Sequence, residues 1–165
     1  MFNKAIKDAS KDIYFKDKEQ ELFNIVTGCP LGYWISDAKF KSFIKGKSLG
    51  QICYPKQGLA SSDNNRFIRN WYEVEKKKSL LNSNSEKESK ESLAKWFPYC
   101  KGGGFRKWYG NRDFVINWEN NGEELRNFEK SVIRNPEFYF NEGMSYSDIS
   151  TGKYAVRYYG YGFIF

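Results

Sequence analysis

Three consecutive glycines at positions 102–104, set between aromatic and basic residues, constrain the fold of this chain more than any other feature. Glycine reaches positive φ at little steric cost and lets backbone amides approach a ligand closely. Residues 92–112 contain five cations and no carboxylate. The interleaved aromatic residues are Trp96, Phe97, Tyr99, Phe105, Trp108 and Tyr109. Because cations contact phosphates and rings stack on bases, the pattern predicts a loop that faces a nucleic acid. The alternative is a tight turn with core aromatics and solvated charges.

A second block, residues 57–66, is rich in side chains that read base edges. Its polar members are Gln57, Ser61, Ser62, Asp63, Asn64, Asn65 and Arg66. Arginine pairs with guanine, asparagine or glutamine with adenine, and aspartate accepts from the cytosine amino group. The alternative is an Asx-turn and helix cap, in which Asp63 or Asn64 accepts hydrogen bonds from backbone amides.

The positive charge is concentrated in these two regions. The chain carries a net charge of +7, of which residues 27–72 and 92–112 each contribute +5, whereas residues 113–165 carry −3. Such asymmetry in a folded protein indicates an anionic partner surface, and nucleic acid is the first candidate.

The composition is that of one folded domain with an aromatic core. The chain has 165 residues, 40% of them hydrophobic and 19% aromatic, which excludes a disordered protein. No apolar run approaches the roughly 18 residues that span a bilayer, and residues 1–11 lack the apolar stretch of a signal peptide. We therefore expect a cytoplasmic protein with no membrane partner.

The residues that usually carry catalysis or bind metals are scarce. The chain has no histidine, which excludes Ser-His and Cys-His mechanisms and removes the commonest metal ligand. Cys29, Cys53 and Cys100 are odd in number and widely spaced. This spacing predicts reduced, mostly buried cysteines and no metal site.

The pattern of apolar and capping residues predicts a single α+β domain, with a mixed or antiparallel aromatic-rich sheet and a few short helices. Helices are predicted after Ser36, ending at Gly46, and near residues 85–97, where Ser85 and Glu88 have capping-box spacing. A further helix is predicted to start at Asn120 or Asn121. Strands are predicted at residues 49–56, 67–74, 113–118, 131–140 and 153–165, with a surface excursion at 76–90.

Several blocks of sequence match one family in order and spacing. They comprise residues 31–37 (LGYWISD), 58–67 (GLASSDNNRF), 95–99 (KWFPY), 103–110 (GGFRKWYG), 115–119 (VINWE) and 132–135 (VIRN). The chain resembles the specificity region of the adenine-specific DNA methyltransferases of BREX phage-defence systems, the PglX family, related to type IIG restriction-modification enzymes. The resemblance covers roughly residues 28–165. It implies a leader or connector at residues 1–26 and a DNA target-recognition domain at 27–165, truncated at its C-terminus.

The resemblance implies that this chain recognises double-stranded DNA so that a catalytic domain elsewhere can flip and methylate an adenine. It implies no catalysis and no cofactor in this chain, although the full-length family uses S-adenosylmethionine. The implied partners are DNA and a methyltransferase catalytic domain or other defence-system subunits. The implied DNA-binding residues are Gln57, Asp63, Asn64, Asn65, Arg66, Lys101, Gly102, Gly103, Gly104, Arg106, Lys107, Trp108, Tyr109 and Arg112.

Two other classes of function are open. Residues 135–139 (NPEFY) are the nearest match to the Asn/Asp-Pro-Pro-Tyr/Phe loop of amino-methyltransferases, but they lack the second proline and predict a turn into a strand. Glu119, Glu123 and Glu124 are better explained as a helix start than as nuclease ligands. The stronger rival is a structural or protein-interaction fragment that docks on a methyltransferase or another defence protein and binds DNA weakly or not at all.

Overall fold

The computed structural model describes residues 20–26, 28, 32, 35–146 and 153–165. Most of the predicted leader, Pro30 and Cys29 lie outside the described residues, as do positions 31, 33 and 34 of the block at 31–37. The chain forms two compact units, Met1–Pro55 and Lys56–Phe165. The predicted boundary between residues 26 and 27 stays a prediction.

The first unit contains short helices. A 3-10 turn spans Gln20–Ile25, and helix α1 spans Asp37–Lys45 between Ser36 and Gly46, as predicted, with Phe40 buried. The strand predicted at 49–56 is wrong, because Leu49–Ile52 forms the helical turn α2. Ser48 and Gln51 explain the difference: they form a capping box, in which the Ser48 amide donates to Gln51 Oε1 at 3.1 Å.

The second unit is built on a three-stranded antiparallel sheet. Its strands are β1 (Ile68–Asn70), β2 (Trp96–Tyr99) and β3 (Phe114–Asn117), with β3 in the centre. Asn70 and Tyr99 both pair with Phe114, so β1 and β2 end at the edge where β3 begins. We call this edge the Tyr99 end of the sheet. The edge where β2 begins and β3 finishes is the Trp96 end.

The core of the second unit is aromatic, as predicted. Phe97 and Phe140 meet edge to face with ring centroids 5.9 Å apart, and Trp118 and Tyr139 do so at 5.3 Å. Ile164 enters beside β2, where its amide donates to the Pro98 carbonyl at 2.9 Å. The other side chains that are at most 2% exposed include Phe67, Val115, Ile116 and Leu125. Chain segments that are distant in sequence therefore hold β2 in place.

The fold class is confirmed as α+β, with short helices and antiparallel sheets. Helices α3 (Asn64–Phe67), α4 (Glu86–Glu91) and α5 (Glu119–Arg126) flank the first sheet. Strands β4 (Gly143–Tyr146) and β5 (Val156–Tyr159) form a second, two-stranded antiparallel sheet. The cap of α4 is confirmed, because Ser85 Oγ accepts from the Glu88 amide at 3.1 Å. None of the helices in the described ranges is long and apolar enough to cross a membrane.

Three local predictions were wrong. The strand at 67–74 is limited to β1, and a 3-10 turn, Trp71–Glu73, follows it. The segment 131–140 makes a single bridge through Val132 and then a 3-10 turn, Pro136–Phe138, which the left-handed Asn135 begins. Asn120 and Asn121 do not cap α5 but have positive φ inside it, at 50° and 62°. In the first two cases a turn replaces the strand that residue propensities predicted, and in the third the helix forms but is not capped by either asparagine.

Buried tyrosines make the second unit sensitive to alkaline pH. Burial raises the pKa of Tyr99 and of Tyr159 from 10.0 to about 12. The Tyr99 hydroxyl donates to the Leu59 carbonyl at 3.2 Å. Because folding favours the neutral phenol, this contribution to stability is present below about pH 10 and is lost as the pH rises toward 12. We expect chemical denaturation to show unfolding free energy falling across this range, less steeply in Tyr99→Phe. An equal slope in both proteins would contradict the assignment.

Candidate nucleic-acid interface

The predicted nucleic-acid loop connects β2 to β3 at the Tyr99 end. We call residues 101–112 the glycine loop. It holds four cations and no carboxylate. Trp108 is 67% exposed and Phe105 is 52% exposed, so these rings are not part of the core. The alternative that the loop aromatics are core residues therefore fails for both.

The glycines shape the loop in two different ways. Gly102 and Gly103 have positive φ, at 85° and 139°, whereas Gly104 does not. Asn111 Nδ2 donates to the Gly104 carbonyl at 3.1 Å, and a Cβ on Gly103 would lie 3.3 Å from the same side-chain amide group. At Gly104, nothing lies within 4 Å of a built Cβ. Glycine is therefore required at position 103 for the loop to adopt this conformation. At position 104 it leaves open space next to the backbone.

The middle of the loop is hydrogen-bonded to the second sheet. The Trp108 amide donates to the Val156 carbonyl at 2.8 Å, and the Tyr158 amide donates to the Trp108 carbonyl at 2.9 Å. This pairing fixes the backbone of Trp108 along β5 while its indole remains exposed. The loop is therefore anchored at its centre as well as at its two ends.

The loop cations are free of carboxylates but differ in accessibility. Among the described residues, neither Lys101, Arg106, Lys107 nor Arg112 forms an ion pair. Lys101 Nζ lies 4.8 Å from the centroid of the Phe114 ring, and Lys107 Nζ lies 4.9 Å from that of Trp108. Arg106 is exposed and donates to the Phe105 carbonyl. Arg106 and Lys107 are therefore well placed for a phosphate group.

Arg112 links the end of the glycine loop to β5 and to the Tyr109 ring. Its Nη2 donates to the Tyr158 carbonyl at 3.0 Å, and its guanidinium lies 4.0 Å from the centroid of the Tyr109 ring. Its Nε is buried without a hydrogen-bond partner. Burial raises the pKa of the neighbouring Cys100 thiol to about 12, although Arg112 and Arg157 oppose the shift. Cys100 is therefore a neutral thiol at physiological pH, in a half-buried position at the base of the loop.

The polar block at 57–66 lies at the other end of the sheet. Asp63 Oδ1 accepts from the Arg66 amide at 3.0 Å, so the helix-cap interpretation is confirmed for Asp63. Asn64 Oδ1 accepts from the Ser61 hydroxyl at 2.9 Å. Gln57 and Asn65 are exposed. Because α3 leads directly into β1, Asn64, Asn65 and Arg66 lie at the Trp96 end, and the structure does not bring them together with the glycine loop. The start of the block is held differently, since the Leu59 amide donates to the Phe165 carbonyl at 2.8 Å.

Arg66 is already engaged. Its guanidinium bonds Glu124 at 2.7 Å and lies over the rings of Phe67 and Phe128 at 5.1 and 5.2 Å. A shallow cavity of about 340 Å³ lies here, lined by Arg66, Glu123, Glu124, Asn127 and Phe128. The two carboxylates make this cavity a poor phosphate site. The described residues contain no cluster of three or more His, Cys, Asp or Glu side chains that could hold a metal ion.

No family model matches the chain. It is 34% identical over 172 aligned positions to the adenine-specific methyltransferase PglX of Lacticaseibacillus casei (strain Zhang), covering 99% of this chain and 14% of that protein. It is 38% identical over 152 positions to the adenine-specific methyltransferase BrxX of Escherichia coli O9:H4 (strain HS), covering 92% of this chain and 12% of that protein. The chain is similar to one segment of adenine-specific methyltransferases. It spans only a small part of these curated relatives.

The residues nearest to a methyltransferase catalytic motif are committed to structure. Asn135 Nδ2 donates to the Gln57 carbonyl at 2.9 Å, and Tyr139 Oη donates to the Arg134 carbonyl at 2.8 Å. Burial raises the pKa of Tyr139. The interpretation of this segment as a turn is supported, although the next strand, β4, begins only at Gly143.

Sequence reasoning missed the exposed pair Trp71 and Tyr72. Both were assigned to a strand, but they lie on a turn at the Tyr99 end, where the Trp71 amide donates to the Asp113 carbonyl at 2.9 Å. The signal was present: Asn70 and Glu73 have capping-box spacing, and they form that box in the structure. This box indicates a turn where propensity alone favours a strand.

Proposed function

We propose that this chain is a DNA-recognition segment of an adenine-specific methyltransferase and that the glycine loop is its principal DNA-contacting element. The observation that carries the proposal is the carboxylate-free loop, in which exposed Arg106 and Lys107 lie beside exposed aromatic rings. Cations that are not neutralised within a protein release counterions from DNA when they bind phosphates. The similarity to two proteins named as adenine-specific methyltransferases supports DNA as the anionic partner.

Within this proposal the loop residues have distinct roles. Arg106, Lys107 and Lys101 contact phosphates, and Gly104 allows the DNA backbone to approach closely. Arg112 holds the loop in shape through Tyr109 and the Tyr158 carbonyl. Methyl transfer, with S-adenosylmethionine as its cofactor, belongs to the remainder of a protein like the curated relatives.

The polar block at 57–66 is the proposed base-reading surface. Gln57, Asn64 and Asn65 are exposed and present amide groups. The ion pair with Glu124 occupies Nε and Nη2 of Arg66, so Arg66 can use these donors to read a base edge only if its guanidinium leaves Glu124. Asp63 positions the block by capping α3.

We expect the double substitution Arg106→Ala and Lys107→Ala to weaken DNA binding and to flatten its salt dependence. Each lost phosphate contact lowers the slope of log K against log salt by about 0.9, so the slope falls by roughly two. Fluorescence anisotropy with a mixed-sequence duplex, titrated at several salt concentrations, measures both quantities.

The matched control removes two other lysines, Lys76→Ala and Lys77→Ala. They lie in the 3-10 turn Lys76–Lys78. The Lys95 amide donates to the Lys78 carbonyl, which places this turn at the Trp96 end. This variant has the same net charge as the loop variant but keeps the glycine loop intact, so its slope should match that of the unmodified chain. Equal slopes in the two variants would rule out the loop as the DNA contact.

A second candidate function is docking on a protein, and the second sheet favours it. Met144 and Tyr158 are directly opposite each other in β4 and β5, and both are exposed, as is Tyr146 on the same face. Since the chain spans only 12% to 14% of its relatives, such a face has a large remainder of protein to pack against. Docking predicts that Met144→Ser weakens association with the catalytic part of a relative at any salt concentration, whereas DNA binding falls steeply with salt.

A further inference from the structure

We propose that Trp71 and Tyr72 form a stacking site for an unpaired DNA base, next to the glycine loop. This inference rests on the proposed function and adds that the bound DNA contains an unpaired base. The register places the pair beside the loop: Trp71 follows β1 at the Tyr99 end and bonds the carbonyl of Asp113, the residue after Arg112.

The turn that carries the pair is fixed by hydrogen bonds. The Asn70 amide donates to Glu73 Oε2 at 2.8 Å, and the bonds from Asn70 hold the pKa of Glu73 below its usual value. With the Trp71 amide bonded to Asp113, the turn is tied at its start and at its end. Rings on such a turn are already positioned before a ligand arrives, which lowers the entropic cost of stacking.

The two rings are exposed and their geometry leaves stacking faces open. Trp71 is 56% exposed and Tyr72 is 66% exposed, and their rings meet edge to face with centroids 5.7 Å apart. In an edge-to-face pair, one ring keeps both faces clear of the other. Within the described part of the chain, no lysine or arginine is placed over either ring, in contrast to Trp108 under Lys107 and Tyr109 under Arg112.

The charges around the pair favour a base over a phosphate. The carboxylates of Asp113 and Glu73 belong to the same turn region and repel phosphates. The nearby cation Arg69 faces Glu73 and helps to lower its pKa, so the cations without a carboxylate neighbour are those of the glycine loop. The sugar-phosphate backbone therefore lies along Arg106 and Lys107 while a base reaches the rings. In a duplex both faces of an internal base are covered by its neighbours, so only an unpaired or extruded base offers a free face.

The test compares two DNA duplexes of the same sequence, one of which carries a single additional unpaired base. We expect the unmodified chain to bind the bulged duplex about tenfold more tightly, in the range measured for aromatic stacking on one base. Trp71→Ala should abolish this preference and leave the salt slope unchanged, because stacking releases no counterions. Trp71→Phe should restore most of the preference, since it restores a ring.

Leu93→Ala is the control, because Leu93 is an exposed apolar side chain that precedes β2 at the Trp96 end. It should keep the full preference for the bulged duplex. Equal binding of both duplexes by the unmodified chain would overturn the stacking site and leave the proposed function standing. Binding of neither duplex at low salt would overturn both. A preference that survives in both Trp71→Ala and Tyr72→Ala would place the unpaired base elsewhere.

Discussion

Replacing Phe97 with alanine is expected to lower the free energy of unfolding of the second unit by about 3–5 kcal/mol. Phe97 is fully buried in β2, pairs with Ile116 of β3 and packs edge to face on Phe140. The substitution removes a whole ring from a close-packed core and leaves a cavity that the neighbouring strand cannot fill. Urea denaturation followed by tryptophan fluorescence measures the loss.

Phe105→Ala is the matched control. It removes the same ring from the glycine loop, where Phe105 is 52% exposed, and should change the free energy of unfolding by less than about 0.5 kcal/mol. If the two substitutions cost the same, Phe97 is not in the core. DNA binding should respond in the same sense, since β2 carries the loop and a destabilised β2 reduces the fraction of protein in which the loop is formed.

Short-range signals explain what could be predicted from the sequence. Ser36 and Gly46 flank α1, although the Ser36 side chain makes no cap hydrogen bond. Ser85 begins α4 by accepting from the Glu88 amide, because a cap acts on amides within one turn. The strand predicted at 49–56 was wrong for the same local reason, since the capping box of Ser48 was not recognised. Cap chemistry therefore decided the helices and turns of this chain more reliably than β propensity did.

Contacts between distant segments could not be predicted. The glycine loop was identified as exposed and basic from its composition, but nothing in its own residues shows that Trp108 pairs with Val156. The same holds for Ile164, which bonds the Pro98 carbonyl and the Cys100 amide and so extends the sheet beside β2. Such pairings depend on how the chain returns after many residues, and a single sequence contains little information on that.

The position of the polar block changes the interpretation of the site. Sequence reasoning treated residues 57–66 and the glycine loop as parts of one DNA-binding set, whereas the register of β1, into which α3 leads, places Asn64, Asn65 and Arg66 at the end of the sheet opposite the glycine loop. A DNA duplex that touches both has to run along the sheet rather than across one edge. At the Trp96 end it also meets Glu124, so Arg66 is the residue whose ion pair has to be exchanged.

Replacing Gly122 with alanine is expected to lower the free energy of unfolding by about 2–5 kcal/mol. Gly122 has a φ of 74° and follows two asparagines that are also left-handed, so the chain turns tightly beneath Trp118. A Cβ at this position would lie 2.6 Å from the ring of Trp118, which is buried and packs on Tyr139. The substitution therefore combines backbone strain with overpacking of a ring that has no room to move.

Gly104→Ala is the control for Gly122→Ala, because it also replaces a glycine with alanine but causes neither backbone strain nor overpacking. Its φ is not positive and no atom lies within 4 Å of the new Cβ, so stability should change by less than about 1 kcal/mol, in the stabilising direction. Thermal unfolding of the two variants side by side measures the difference. A small effect at Gly122 would show that Trp118 can shift, whereas a large effect at Gly104 would show that the loop packs more closely than its open surface indicates. DNA affinity then tests the proposed contact: Gly104→Ala should fold normally and bind DNA less tightly, because the new methyl group would occupy the space that the proposed function assigns to the phosphate backbone.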